Sequence, residues 1–159
     1  MAAITANGIQ IEYEDEGPRD GQPILMVMGL GAHLVRWPQS MVDALVERGY
    51  RVIRYDNRDV GLSTKFDERG APHIVWTAMQ MQFGRVPAVP YTLTDMAHDG
   101  IGLLDALGID RAHVVGASMG GMIAQLIAAR WPERVRTLTS IMSTTGHPHC
   151  SRPTMRATA

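Results

Sequence analysis

A serine between an apolar stretch and a helical stretch restricts the possible folds of this chain more than any other feature. Residues 113–117 read HVVGA and are followed directly by SMGG. Gly116, Ser118 and Gly120 form a Gly-x-Ser-x-Gly pattern. In a sharp strand-to-helix turn, the residues two before and two after the serine approach so closely that glycine is needed. The pattern therefore predicts a buried strand, a strained and exposed Ser118, and a helix in direct succession.

Apolar runs and helical spacing alternate along the rest of the chain. Buried strands are expected at residues 23–28 and 113–117, the first of them buried on both faces, and further strands at residues 51–55 and 136–142. Helices are expected at residues 38–48, 93–107 and 119–130. Thr94 is a candidate N-cap for the second helix, and Gly49 and Gly108 follow the first two helices. Strands that alternate with helices predict an α/β fold with a mostly parallel sheet and right-handed crossovers.

The N-terminal residues have a different pattern. Residues 3–6 and 9–14 flank Asn7-Gly8, which is the strongest two-residue signal for a hairpin. In the second of these stretches, apolar and polar residues alternate, as in a strand with one solvent face. An N-terminal β-hairpin is therefore expected beside the parallel strands.

The segment between residues 60 and 92 interrupts the alternation, because it contains no clear strand. Residues 74–83 read IVWTAMQMQF, which is compatible with a short apolar helix. Such a helix would be either a wall or small lid of a binding pocket, or a helix packed against the edge of the sheet. The sequence leaves both interpretations open.

Composition excludes several classes of partner. The 15 basic and 16 acidic residues give a formal net charge of −1, so no nucleic-acid partner is implied. No stretch approaches the roughly 18 apolar residues of a membrane span, and residues 1–17 lack the pattern of a signal peptide. The single cysteine, Cys150, cannot form an internal disulfide, which fits a reducing compartment. We expect a cytoplasmic protein of one domain.

Five stretches of the chain resemble the α/β-hydrolase superfamily, and esterases of the aclacinomycin methylesterase type in particular. These stretches read VMGLGAHLVRWP, RGYRVIRYDNRDVGLSTKFDERG, YTLTDMAHDGIGLLDALGI, AHVVGASMGGMIAQLIAARWPERV and TLTSIMSTTG. Together they lie within residues 4–146, which is nearly the whole chain. The resemblance implies an α/β-hydrolase-like sheet with the Gly-x-Ser-x-Gly turn as its nucleophile elbow.

The resemblance also implies a chemistry. Ser118 would be the nucleophile that attacks an ester, and the backbone N–H groups of Leu30 and Met119 would hold the oxyanion. The loop after the second parallel strand, which the resemblance implies to be mainly structural, carries Asp56, Arg58, Gly61 and Ser63. The implied reaction is hydrolysis of a carboxylic ester through an acyl-enzyme, without a cofactor. The methionines and aromatic residues around the predicted site favour a small-molecule ester with an apolar acyl or alcohol part, whose size the sequence leaves open. A cofactor-free haloperoxidase or perhydrolase activity uses the same site, whereas epoxide and haloalkane hydrolases carry an aspartate where this chain has Ser118.

The chain departs from the family pattern near its end. In this fold the catalytic acid and histidine follow the nucleophile on later strands, beyond a cap. The sequence stops at Ala159, and residues 147–159 do not resemble the family. Residues 1–146 are therefore interpreted as the N-terminal half of a hydrolase core, truncated before the cap and the last strands. Residues 147–159 are interpreted as an atypical tail, and the triad is expected to be incomplete or improvised.

A serine hydroxyl needs a general base within hydrogen-bond reach. His147 is the first candidate, because it follows the strand at 136–142, which should lie beside the strand that leads to Ser118. His33 is the second candidate, because it follows the predicted oxyanion loop. His98 and His113 are expected to be remote. The His-x-His-Cys run at 147–150 has no distant partner residue, so we expect no metal site.

A sheet that ends at the strand 136–142 would leave an unpaired edge. Such an edge is a surface for association with another chain. We therefore expect a homo-oligomer, formed either directly or by domain swapping. The alternative to an esterase is a non-catalytic fragment that keeps the fold and self-associates.

Overall fold

The computed structural model describes residues 1–66 and 89–145. Over these residues the chain forms a six-stranded sheet with the strand order β1-β2-β4-β3-β5-β6. The strands are β1 (Ala2–Ala6), β2 (Ile9–Glu16), β3 (Gln22–Val27), β4 (Tyr50–Tyr55), β5 (Ala112–Ala117) and β6 (Val135–Ile141). The helices are α1 (Gln39–Val46), α2 (Leu93–Ala106) and α3 (Met119–Arg130), with short 3-10 turns at Leu34–Arg36 and Pro132–Arg134.

The pairing of the strands confirms the predicted architecture. Asn7 and Gly8 both have positive φ angles, 50° and 75°, and connect β1 to β2 in an antiparallel hairpin. β2 then pairs antiparallel with β4, whereas β3 pairs parallel with β4 and with β5, and β5 pairs parallel with β6. The sheet is mostly parallel, with an N-terminal hairpin at one edge.

Helices cover the two faces of the sheet with separate apolar clusters. The larger cluster lies under α2 and α3 and includes Leu25, Ile53 and Leu104, which are fully buried. The smaller one lies under α1 and includes Met26 and Val42. Because both faces are covered, the central strands are largely apolar on both sides, although β4 also buries Arg51 and Arg54 in ion pairs with carboxylates of β2. Parallel β3, β4, β5 and β6 place their carboxyl ends at one edge, where the loops that follow them meet.

The ends of α2 follow specific capping chemistry. Thr92, and not Thr94, is the N-cap, so the predicted cap was wrong. Thr92 accepts a hydrogen bond from the backbone N–H of Asp95, and the Asp95 carboxylate accepts one from the N–H of Thr92. At the other end Gly108, at φ 66°, donates to Asp105, and the next N–H donates to the carbonyl of Leu104. This Schellman ending confirms Gly108 as the residue that ends the helix.

Two sequence predictions fall outside this description. The interpretation of residues 74–83 as a pocket wall, lid or edge helix lies outside the described residues. The same holds for the predicted tail at 147–159. Within the described ranges, no helix combines the length and hydropathy that crossing a membrane requires.

Candidate active site

Ser118 lies at the junction of β5 and α3, and its backbone is strained. Its φ and ψ angles are 55° and −122°, a combination that is rare for a residue with a side chain. Its N–H donates to the carbonyl of Ile141 at 2.9 Å, and its carbonyl accepts from Gly121 and Met122 in the first turn of α3. The residue is exposed, and its hydroxyl makes no capping bond to α3. The turn therefore lifts the hydroxyl above the carboxyl ends of the strands.

The glycines around Ser118 are required by close backbone contacts. A Cβ on Gly116 would collide with the carbonyl oxygen of Gly120. A Cβ on Gly120 would collide with the carbonyl oxygen of Val27 and would lie 2.6 Å from that of Met28. Real Cβ atoms do not approach other atoms this closely. The first contact is the close approach of the two flanking residues that the sequence predicts, and the second adds a requirement for glycine that comes from the end of β3.

The loop after β3 lies directly against Ser118. A Cβ on Gly29 would lie 3.1 Å from Cβ and 3.5 Å from Oγ of Ser118. Leu30 follows and is 82% exposed, and a turn in which Ala32 donates to the Gly29 carbonyl at 3.2 Å closes the loop. Met119 is the first residue of α3, so its N–H belongs to the first turn of a helix, whose donors have no partner within the helix. The predicted oxyanion donors are the N–H groups of Leu30 and Met119. They thus belong to segments on either side of Ser118.

Asp56 connects this loop to the end of β4. Its carboxylate is buried and accepts from the N–H of Leu34 at 2.7 Å and from that of Leu62 at 3.3 Å. Its carbonyl accepts from the hydroxyl of Ser63 at 2.6 Å. Gly61, at φ 52°, leaves space for this carboxylate, with which a Cβ would collide. The contacts give Asp56, Gly61 and Ser63 a structural role beneath the site, as the resemblance implies.

Arg58 and Asp99 form a buried ion pair that the sequence did not reveal. Two guanidinium nitrogens of Arg58 donate to the two different carboxylate oxygens of Asp99, each at 2.7 Å. Asn7, in the hairpin, also donates to Asp99 at 2.8 Å. Burial alone would lower the pKa of Arg58, but the hydrogen bonds and charge of Asp99 outweigh it and raise that pKa. The pair ties the β4 loop to α2, and the Arg58 guanidinium lies 5.3 and 5.1 Å from the ring centres of Phe66 and Tyr91.

A cavity of about 220 Å³ opens beside Leu30 and Met119. Its lining consists of Leu30, Gly31, Arg58, Asp59, Val60, Tyr91, Met96 and Met119. Its polar residues already have partners within the protein, because Tyr91 is hydrogen-bonded to Asp59 and Arg58 is paired with Asp99. The Tyr91 pKa is raised to about 12 by burial and by the hydrogen bond and charge of Asp59, so Tyr91 is neutral and donates to that carboxylate. Because Arg58 is paired with Asp99, the surface left for a ligand is chiefly that of Leu30, Val60, Met96 and Met119.

The histidines lie in different parts of the structure. His33 is 56% exposed, with Nδ1 3.9 Å from a carboxylate oxygen of Asp56. His98 stacks edge-on against Trp131, and His113 contacts Gln22 and Thr137 near the amino ends of the strands. These contacts keep His98 and His113 with other elements, as expected. His147, the first candidate for the general base, lies outside the described residues. Within residues 1–66 and 89–145 no group of three or more His, Cys, Asp or Glu side chains is arranged to hold a metal.

Comparisons with known proteins agree with this fold. A family described as the alpha/beta hydrolase fold matches residues 22–156. The chain is 34% identical over 139 residues to the rhodomycin D methylesterase DauP of Streptomyces sp. strain C5, which covers 87% of this chain. It spans 41% of that methylesterase, or about two fifths of its length.

Solved structures show the same likeness. The chain is 27% identical to the meta-cleavage product hydrolase CumD of Pseudomonas fluorescens IP01, with a TM-score of 0.69. That alignment covers 90% of this chain and 45% of CumD. A hydrolase from Pseudomonas aeruginosa PA01 is 30% identical, with a TM-score of 0.66 over 86% of this chain and 43% of its own.

Proposed function

Because this chain belongs to the α/β-hydrolase family, we propose that it hydrolyses carboxylic esters with Ser118 as the nucleophile. The observation that carries the proposal is the strained, exposed Ser118, which lies between β5 and the first turn of α3. Backbone strain of this kind is maintained only where the surrounding structure enforces it, and it is concentrated at functional sites. The similarity to a rhodomycin D methylesterase supports an ester as the substrate.

The proposed reaction has two steps. The Ser118 hydroxyl attacks the ester carbonyl carbon while a base takes its proton, and the alcohol leaves with a proton from the same base. Water then attacks the acyl carbon while the base takes a proton from it. The bond between that carbon and Ser118 Oγ breaks, and the base gives the proton to Oγ, which releases the acid and restores Ser118. In both steps the N–H groups of Leu30 and Met119 donate to the oxyanion, and the N-terminus of α3 favours the negative charge.

His147 is the proposed base. It follows the end of β6 by six residues, and β6 ends at Ile141, whose carbonyl binds the N–H of Ser118. This proximity supports a histidine that reaches the hydroxyl from the β6 side. It would take the role that the family assigns to a histidine on a later strand.

The cavity beside Leu30 and Met119 supports an apolar acyl group of limited length. With about 30 Å³ for each water-sized group, 220 Å³ holds at most about seven such groups. We expect kcat/KM for p-nitrophenyl esters to rise from acetate to butyrate or hexanoate, because each added methylene is buried. It should fall by about tenfold or more at decanoate, which exceeds the cavity. A stopped absorbance assay of the five even-numbered esters, C2 to C10, measures this, and a monotonic rise to decanoate would refute the assignment of the cavity.

Self-association is a second proposal, and the exposure of β6 favours it. β6 forms one edge of the described sheet, and its five central residues are exposed, Leu138 among them at 40%. Open strand edges pair with edges of other chains. We propose that a second copy of this chain pairs along β6, either directly or by domain swapping that brings a histidine to Ser118.

We expect size-exclusion chromatography with light scattering to show a dimer or a larger species. Leu138→Lys should shift the equilibrium towards monomer by about tenfold or more in Kd, because a charge on an edge strand opposes pairing. Val35→Lys replaces another exposed apolar residue, in the 3-10 turn, and should leave the assembly unchanged. A wild-type chain that is monomeric at all concentrations would contradict the proposal.

A further inference from the structure

The loop that carries Leu30 is held at both ends by two adjacent side chains from the end of β4. Asp56 accepts from the N–H of Leu34 at the far end of the loop, at 2.7 Å. Asn57 donates through Nδ2 to the carbonyl of Met28 at the near end, at 2.9 Å. Between these two bonds the loop closes with a single turn from Gly29 to Ala32, and Leu30 is exposed. The direction of the Leu30 N–H therefore depends on how these ends are held.

Asn57 acts at the end that lies nearer to Ser118. The Met28 carbonyl to which it donates also lies against α3, since a Cβ on Gly120 would be 2.6 Å from that oxygen. The peptide group after Met28 is thus enclosed between the Asn57 amide and the beginning of α3. Asn57 is itself rigid, because it is 2% exposed and its carbonyl accepts from Val60 at 3.0 Å. A displacement of its amide would be transmitted directly to Gly29 and Leu30.

The side chain of Asn57 includes a polar atom that lowers the stability of the folded protein. Its Oδ1 is buried and has no hydrogen-bond partner among the described residues. A buried acceptor without a partner reduces stability, so the amide is retained here for the hydrogen bond that its donor makes. The half of the amide that is used is the donor that faces Met28.

We infer that Asn57 is a positioning residue, which orients the Leu30 N–H towards the oxyanion by holding the Met28 carbonyl. The inference rests on the proposed function, because it assigns to Asn57 the alignment of one of the two proposed oxyanion donors. Asn57 does not contact the reacting atoms. Its removal should therefore weaken stabilisation of the transition state more than binding of the substrate.

Two variants of Asn57 test this role. Asn57→Leu removes the donor and keeps the approximate size, and should lower kcat for p-nitrophenyl butyrate about 10- to 100-fold with KM nearly unchanged. Asn57→Asp also loses the donor when it is ionised, but its protonated carboxyl can donate to the Met28 carbonyl. Burial raises the pKa of a carboxyl group. The ratio of its kcat to that of the wild type should therefore rise as the pH falls from about 8 to 5, whereas the ratio for Asn57→Leu should stay constant.

Gln10→Leu is the matched control. It makes the same kind of change, because it removes a side-chain amide that donates a hydrogen bond, here to the hydroxyl of Thr5 at 2.6 Å on the exposed side of the hairpin. It should leave kcat unchanged. Equal kcat in Asn57→Leu and in the wild type, or equal pH ratios for the two Asn57 variants, would overturn the inference.

A second readout separates this inference from the proposed function. If hydrolysis by the wild type equals that of Ser118→Ala, the proposed function fails, and the loop is then examined by ¹H–¹⁵N spectra. The Leu30 and Gly31 amide signals should shift in Asn57→Leu and remain in place in Gln10→Leu. Unchanged signals in a folded Asn57→Leu would refute the positioning role regardless of activity. The same spectra identify a variant that has failed to fold, in which case Asn57→Asp at low pH provides the test.

Discussion

Ser118→Ala is expected to reduce the hydrolysis of p-nitrophenyl butyrate to the rate in buffer alone, a loss of about 10³-fold or more in kcat/KM. The hydroxyl is the only group of this residue that the change removes, and it makes no capping bond to α3. Alanine retains the Cβ and so keeps the backbone under the same constraint at φ 55°. The melting temperature should therefore stay within a few degrees of the wild-type value, which separates loss of the nucleophile from loss of the fold.

The control for this variant is a second serine, which lies near the carboxyl end of the neighbouring strand. Ser140 lies on β6, is exposed, and accepts a hydrogen bond from Gln125 at 3.0 Å. Ser140→Ala should retain full activity. Equal rates for Ser118→Ala and the wild type would remove the ester-hydrolase proposal and leave the self-associating protein as the function supported by the exposed edge of β6.

The same assay tests the proposed base. His147→Ala should lower kcat by about 10²- to 10⁴-fold at pH 7, the usual contribution of a general base, and imidazole added to the buffer should restore part of the rate. Unchanged activity would remove His147 and make His33→Ala the next variant. His33 has a carboxylate neighbour in Asp56 at 3.9 Å, but that carboxylate already accepts two backbone N–H groups.

The elbow could be predicted because its constraints are local. Gly116 meets the backbone of Gly120 within one turn of the chain, which makes the Gly-x-Ser-x-Gly spacing readable from the sequence. The second reason for glycine at position 120, its contact with the carbonyls at the end of β3, is not local and appears only in the structure. The apolar runs of β3 and β5 could be predicted for a related reason, since strands covered on both faces are apolar on both sides. The predicted cap at Thr94 was wrong because two threonines compete, although Asp95 lies at the capping-box spacing from Thr92 and so provides the signal that decides between them.

The supports beneath the site could not be predicted, because they join residues that are distant in sequence. Asn57 and Met28 are 29 residues apart, and Arg58 and Asp99 are 41 residues apart. Neither spacing has a periodicity or motif that identifies the partner. Asp99 also occupies the buried side of α2, where an acidic residue is unfavourable until Arg58 is placed beside it. Only the tertiary structure shows that these polar residues compensate one another.

Asp99→Ala is expected to lower the free energy of unfolding by about 3–5 kcal/mol, because it leaves the Arg58 guanidinium buried without its counter-charge. The carboxylate is 1% exposed and accepts three hydrogen bonds, two from Arg58 and one from Asn7. Asp105→Ala is the matched control on the same helix. Asp105 pairs with Arg134 at 2.6 Å, but its side chain is 59% exposed, so its loss should cost less than about 1 kcal/mol. Urea denaturation followed by circular dichroism measures both changes.

A double variant distinguishes the cost of an unpaired charge from the value of the pair itself. Replacing both members by apolar residues of similar size, as in Arg58→Met with Asp99→Leu, removes the buried charges together, so most of the stability lost in Asp99→Ala should return. The activity should not return with it, because the β4 loop would lose its tie to α2 and with it the fixed position of the lining residues Asp59, Val60 and Tyr91. If Asp99→Ala costs no more than Asp105→Ala, Arg58 reaches solvent and the pair does not anchor the loop. If the double variant is both stable and fully active, the pair contributes nothing to the shape of the site.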